Sequence, residues 1–162
     1  MRMRPLIQHE MKPAEGDKAP DFRLPDSEGR VRSLRDLLEG HKALVLYFYP
    51  KDDTPGCTTE ACGFRDSMAK LKSQRVNVVG VSVDDQESHR KFMAKYGLNF
   101  TLLSDVDGKV ASLYNSFSEE RGRAVRKTFV IDENGVIRAA FHKVSAEGHA
   151  EEVLSTLKKL GL

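Results

Sequence analysis

Two cysteines stand five positions apart in this chain, Cys57 and Cys62, and its 162 residues hold no others. The first follows Thr54, Pro55 and Gly56. Threonine followed by proline reads as a helix N-cap with proline at the first helical position, where its missing N–H costs nothing. Cys57 then falls in the first turn. There a sulfur faces backbone N–H groups without an intrahelical acceptor and the positive end of the helix dipole, and both favour thiolate over thiol. Gly56 leaves the backbone beside the sulfur uncovered, and the Thr54 hydroxyl can donate to the sulfur or to a substrate bound on it. These are the requirements of a nucleophilic cysteine. The competing reading is that a cysteine on the inward stripe of a helix is a small buried hydrophobe. Cys62 tips the balance. Five residues along an α-helix is about 140° of rotation and ~7.5 Å of rise. A disulfide needs Cα atoms within roughly 7 Å, so the pair can bond only where the helix opens. Such a pair suits a catalytic cycle better than a structural staple.

The elements that must position these residues follow from hydrophobic spacing. Cys57, Ala61, Phe64, Met68 and Leu71 recur at intervals of four, three, four and three, one stripe of an amphipathic helix. Before it, ALVLYFY at 43–49 is a buried strand closed by Pro50; after it, VNVVGVSVD at 76–84 is a second, rich in β-branched residues. QESHRKFMAKYG at 86–97 reads as a helix stopped by Gly97, FTLLSD as a third strand and GKVASLYN as a short helix. RKTFVID and GVIRAAFHKV form a hairpin about ENG, and HAEEVLSTLKKLGL is a closing amphipathic helix. Residues 22–24 and 31–34, flanking DSEGR, make a small N-terminal β-hairpin. The order predicts an α/β protein of thioredoxin-like plan: a central mixed sheet with a parallel βαβ core, an antiparallel edge and helices on both faces. In such sheets sites form where strands end and helices begin, which is where the segment after Tyr49 lies.

Composition narrows the function. Lys and Arg total 26 against 24 Asp and Glu, a formal net charge of +2 without a basic block, which argues against nucleic acid and anionic membranes as partners. The longest apolar run, 43–49, is far short of the roughly 20 residues of a membrane helix. The opening MRMRPLIQHEMKPAEGDKAP lacks the apolar stretch of a secretory signal, so residues 1–12 are expected to be a tail and 13–162 the domain. Two closely placed cysteines suit a reducing compartment, the cytoplasm by default. His9, His41, His89, His142 and His149 offer no zinc pair near the cysteines. SDVDGKV reads as a surface turn rather than a calcium loop, because Leu103 and Tyr114 stand where acidic ligands belong.

With these residues assembled, PKDDTPGCTTEACGFRD resembles the active-site motif of the peroxiredoxins, in the Q-type or bacterioferritin comigratory branch. GDKAPDFRLPDSEG, LLSDVDGKVASLY, RKTFVIDENGVI and HAEEVLSTLKKL resemble the same branch in the same order, so the likeness runs from about Lys12 onward. The resemblance implies a thiol peroxidase without metal, flavin or haem, acting on hydrogen peroxide and organic hydroperoxides. Cys57 matches the peroxidatic cysteine, Pro50 and Thr54 the signature proline and threonine, Arg126 the active-site arginine, and Cys62 the resolving cysteine of an atypical 2-Cys arrangement. Phe117 stands where many relatives carry tryptophan. Arg126 also has a case of its own, since a guanidinium beside a thiolate stabilises it and orients peroxide oxygens; taken alone it is an ordinary surface arginine. Implied next are a Cys57 sulfenic acid, a Cys57–Cys62 disulfide within one chain, and reduction by thioredoxin or a similar dithiol, the protein acting as a monomer. Two other functions compete. A thiol-disulfide oxidoreductase would favour Cys-x-x-Cys at the helix start, and a non-enzymatic redox sensor would pass its oxidation state to a partner.

Overall fold

A computed structural model describes residues 12–162; the tail expected over residues 1–12 lies outside the described residues except for Lys12. The centre is β3 (Ala43–Phe48), every residue of which is buried. Side chains alternate across a strand, so β3 feeds two cores. Ala43, Val45 and Tyr47 point to one, and Leu44, Leu46 and Phe48 to the other. Strand β4 (Val76–Ser82) and strand β5 (Thr101–Ser104) continue the sheet in parallel, while β8 (Lys127–Asp132) and β9 (Ile137–Phe141) continue it antiparallel, in the order β5-β4-β3-β8-β9.

Helix α2 (Pro55–Ser73) links β3 to β4 and α3 (Gln86–Tyr96) links β4 to β5. Both crossovers advance in the same direction across the sheet, and right-handed crossovers then place both helices on one face. That face also receives α5 (His149–Leu160), and its core joins Phe64, Met68 and Leu71 to Phe92, Val153 and Leu157. Gly97 and Gly161 end α3 and α5 in the left-handed conformation that only glycine adopts cheaply. The opposite face is covered by β1 (Arg23–Pro25), β2 (Val31–Ser33), α1 (Leu34–Leu38) and α4 (Lys109–Leu113), with Tyr114 at its centre.

Three expectations need adjustment. Residues 31–34 do not form one strand: Ser33 and Asp36 close a reciprocal capping box, and the chain turns into α1 at Leu34. Between α4 and β8 runs a two-rung ladder of β6 (Phe117–Ser118) and β7 (Arg123–Ala124), too short to register as periodicity. Arg126 immediately precedes β8 instead of opening it.

One close approach limits the core between the sheet and α2. A Cβ on Gly80 would lie 2.9 Å from both Leu102 Cδ2 and Tyr47 Cζ. Glycine in β4 thus makes room for the Tyr47 ring, which stacks on Phe64 of α2 at 4.9 Å between centroids. Gly80→Ala should therefore destabilise the protein by about 1–3 kcal/mol through overpacking. Urea denaturation of the two proteins is the measurement, and equal midpoints would show that the Tyr47 ring is free to move aside.

Candidate active site

The site forms where β3 stops. Pro50 has no N–H to extend the ladder, residues 51–53 turn the chain, and α2 starts at Pro55. Thr54 occupies the N-cap position with extended backbone angles, but its side chain makes no capping bond. Its hydroxyl instead donates to the Lys51 carbonyl at 2.9 Å, leaving the oxygen lone pairs free to accept a hydrogen bond. The sequence had suggested a hydroxyl that donates to the sulfur or to a substrate bound on it; the turn at 51–53 presents the Lys51 carbonyl, which takes that hydrogen.

Cys57 lies in the first turn of α2 and is only 2% exposed. The first-turn N–H groups there lack intrahelical acceptors. Arg126 reaches the sulfur from the far side, with Nη2 donating to Sγ at 3.4 Å. Strand register explains how a residue so distant in sequence arrives. Phe48 pairs with Lys127 in the antiparallel β3–β8 ladder, so the next step along each chain brings Tyr49 opposite Arg126. Gly56 admits the guanidinium, since a Cβ there would come within 3.1 Å of Nη2.

The same guanidinium has a second partner that the sequence reading missed. Nη1 donates to Glu60 Oε1 at 2.7 Å, and the Glu60 side chain has no exposure to solvent. The other carboxylate oxygen, Oε2, has no hydrogen-bond partner. Burial accordingly pushes the Glu60 carboxyl up to about 7, against the pull of Arg126. The signal was available: Glu60 is three residues beyond Cys57 and on the same helical face. In the other direction, Arg126 is held charged by Glu60 and Cys57 despite its own desolvation. Tyr47 lies below, its buried hydroxyl without a partner and its ionisation pushed far up, first by burial and then by Glu60 and Cys57.

Cys62 is half-buried, further along the unbroken α2. Both cysteines are free thiols in this structure. Of the residues singled out in the sequence, Pro50, Thr54, Cys57 and Arg126 therefore gather at one helix start, and Cys62 stands apart. Among the described residues no group of three or more His, Cys, Asp or Glu side chains could hold a metal ion. None of the described helices is long and apolar enough to cross a membrane.

Known proteins share this architecture. The model of the AhpC/TSA family matches residues 15–140. The bcp protein of Coxiella burnetii is 50% identical over 148 residues, covering 88% of this chain and 97% of its own. The peroxiredoxin Bcp of Bacillus subtilis is 43% identical over 151 residues, covering 90% and 95%. Among solved structures, the bacterioferritin comigratory protein of Xanthomonas campestris, described for its alkyl peroxide reduction activity, superposes with a TM-score of 0.79 at 35% identity over 87% of this chain and 92% of that one.

A carboxyl with a raised ionisation point makes folding sensitive to pH, with a sign fixed by linkage. The unfolded chain releases the Glu60 proton near its ordinary value of 4.5 and the folded chain near 7, so between these the folded state binds more protons and stability falls as pH rises. Glu60→Gln keeps an oxygen for Arg126 and removes the titration. Between pH 4.5 and 8 the wild type should lose stability relative to this variant by ~3 kcal/mol, an order of magnitude set by the size of the shift. Chemical denaturation at the two pH values measures it, and a constant difference would show that the site does not raise the Glu60 ionisation point.

Proposed function

The chain belongs to the AhpC/TSA family, in its Bcp/PrxQ branch of peroxiredoxins that act on hydroperoxides, and from this we propose that Cys57 is the peroxidatic nucleophile and Cys62 the residue that resolves it. The observation that carries the assignment is the Arg126 guanidinium at 3.4 Å from a buried sulfur at a helix start.

The steps follow from the groups present. The Cys57 thiolate attacks one peroxide oxygen along the O–O axis. The S–O bond forms as the O–O bond breaks, its electron pair leaves with the second oxygen, and a proton completes water or an alcohol. Charge developing on the departing oxygen meets Arg126 and the first-turn N–H groups. The Thr54 oxygen, whose own hydrogen is committed to Lys51, accepts a hydrogen bond from the peroxide hydroxyl. Pro50 closes the strand beside them and leaves no competing N–H. Cys57 is then a sulfenic acid. Attack by the Cys62 thiolate expels its oxygen as water and leaves a disulfide. Two electrons from an external dithiol such as thioredoxin, delivered by thiol-disulfide exchange, restore both thiols. The protein works as a monomer on soluble peroxides in the cytoplasm.

The division of labour is tested by substitution. Cys57→Ser should abolish peroxide reduction, whereas Cys62→Ser should react once and stop as a sulfenic or overoxidised Cys57, because resolution follows O–O cleavage. Single-turnover kinetics with intact-mass analysis reads both, and Cys57→Ser turning over near the wild-type rate would end the proposal.

Resolution also makes a structural demand. With both cysteines on one continuous helix, the disulfide requires the first turns of α2 to unwind while the sheet stays folded. Peroxide-treated protein should therefore exchange amide hydrogens faster mainly within residues 54–66 and run as a monomer on a non-reducing gel. Unchanged protection there, or a disulfide-linked dimer, contradicts resolution by Cys62 within one chain.

A further inference from the structure

The loop that carries Thr54 is anchored by a buried histidine to which the chemistry above gives no role. Asp52, 7% exposed, accepts from the Tyr49 hydroxyl through Oδ1, while its Oδ2 accepts from Ser88 Oγ at 2.8 Å and lies 2.7 Å from His89 Nδ1. His89 has no solvent exposure, and its other nitrogen, Nε2, lies 3.0 Å from the Leu103 carbonyl oxygen. A carbonyl only accepts, so Nε2 bears a hydrogen. One further proton then lies between Nδ1 and the Asp52 carboxyl, and the two cannot part without leaving a buried polar group unpaired. Next to them Asp53, a non-glycine residue at φ +59°, is held by Lys95 Nζ at 2.9 Å and the Tyr96 hydroxyl at 2.8 Å. Apart from Tyr49, which follows β3, these fasteners come from α3 or from the adjoining end of β5, and Asp84, between β4 and α3, accepts from the Asp52 N–H at 2.8 Å. A connection runs from Leu103 through His89 and Asp52 to the Lys51 carbonyl, which receives the Thr54 hydroxyl.

A buried histidine–carboxylate pair contributes little net stability compared with apolar side chains of the same size, whereas it fixes direction. We propose that His89 is a positioning residue for peroxide reduction, clamping residues 51–53 onto α3 through Asp52 and so aiming the Thr54 oxygen and the first-turn N–H groups at the peroxide on Cys57. The inference rests on Cys57 being the peroxidatic residue.

Two substitutions at one position separate positioning from packing. The amide nitrogen of asparagine falls near the place of Nδ1, and that of glutamine near the place of Nε2. His89→Asn therefore keeps a donor for Asp52, while His89→Gln keeps the bond to Leu103 and loses Asp52. The readout is the ratio of second-order rate constants of Cys57 for hydrogen peroxide and for iodoacetamide; alkylation needs the thiolate but not the peroxide-binding donors and acceptor. His89→Gln should lower that ratio about tenfold or more, and His89→Asn should stay within about 1.5-fold of wild type, since misplacement by about an ångström strongly slows an oriented reaction. Equal ratios in both variants, whether lowered or unchanged, overturn the inference. Should a histidine variant fail to fold, Ser88→Ala removes one bond from α3 to Asp52 at a half-buried position; the ratio should fall about threefold, and a wild-type ratio overturns the inference. A wild type whose Cys57 is not oxidised by peroxide would instead remove the underlying assignment and the inference with it.

Discussion

One guanidinium serves two buried groups, and the rest of the site is arranged to bring it there. Arg126 divides its nitrogens between the Cys57 sulfur and the Glu60 carboxylate, both supplied by one face of α2. A buried anion without a cation is costly, and so is a buried cation without an anion. Three groups in contact avoid both extremes, because the cation that a carboxylate holds in place is also within reach of the sulfur. The arrangement depends on the β3–β8 register. A slip of one residue would turn the side chains of β8 to the opposite face and carry Arg126 away from the helix.

The helix start is likewise shaped by what it lacks. Gly56 has no side chain to hold the guanidinium off, Pro55 has no N–H to leave unpaired, and Thr54 directs its hydrogen away from the sulfur. The result is a site with donors from the backbone and the arginine and an acceptor from a hydroxyl, the polarity that the proposed attack on a peroxide calls for: one oxygen still bearing a hydrogen, the other gathering charge.

Much of this was legible from residue types. The stripe from Cys57 to Leu71 gave the helix and its buried face, Thr54 and Pro55 gave its start, and the alternation of apolar runs with helical patterns gave the order of elements, because each is a local signal with a fixed period. Pairing information is not local. Composition and spacing could not bring Arg126 to Cys57 across 69 positions; only the likeness to a family did so, and the register supplies the physical reason. Glu60 was overlooked because a glutamate on an exposed-looking Thr-Thr-Glu run is usually solvated; its burial depends on Arg126 arriving. Helix α1 was hidden because its five residues are too few for periodicity, although Ser33 and Asp36 carried the capping signature.

The stretch of α2 between the cysteines is also the stretch the core would miss least. From the helix start to Ala61 its buried side chains are Cys57, Glu60 and Ala61, two polar groups and a methyl, while the large apolar ones, Phe64, Met68 and Leu71, all lie beyond Cys62. Unwinding the first turns therefore surrenders little apolar area and returns the Glu60 carboxyl to water, which relieves the burial that raises its ionisation point. The two ends of the segment are tied to one residue of α3: the Tyr96 hydroxyl donates to Asp53 before the helix, and the Tyr96 carbonyl receives Arg65 Nη1 at 2.7 Å beyond Cys62. A segment with a small buried load, a strained carboxyl and two ends tied to one residue can open and close without disturbing the sheet. Under the proposed resolution by Cys62, the second thiol sits inside that segment instead of on a distant element, and the disulfide would form within the part of the fold that buries the least apolar side chain.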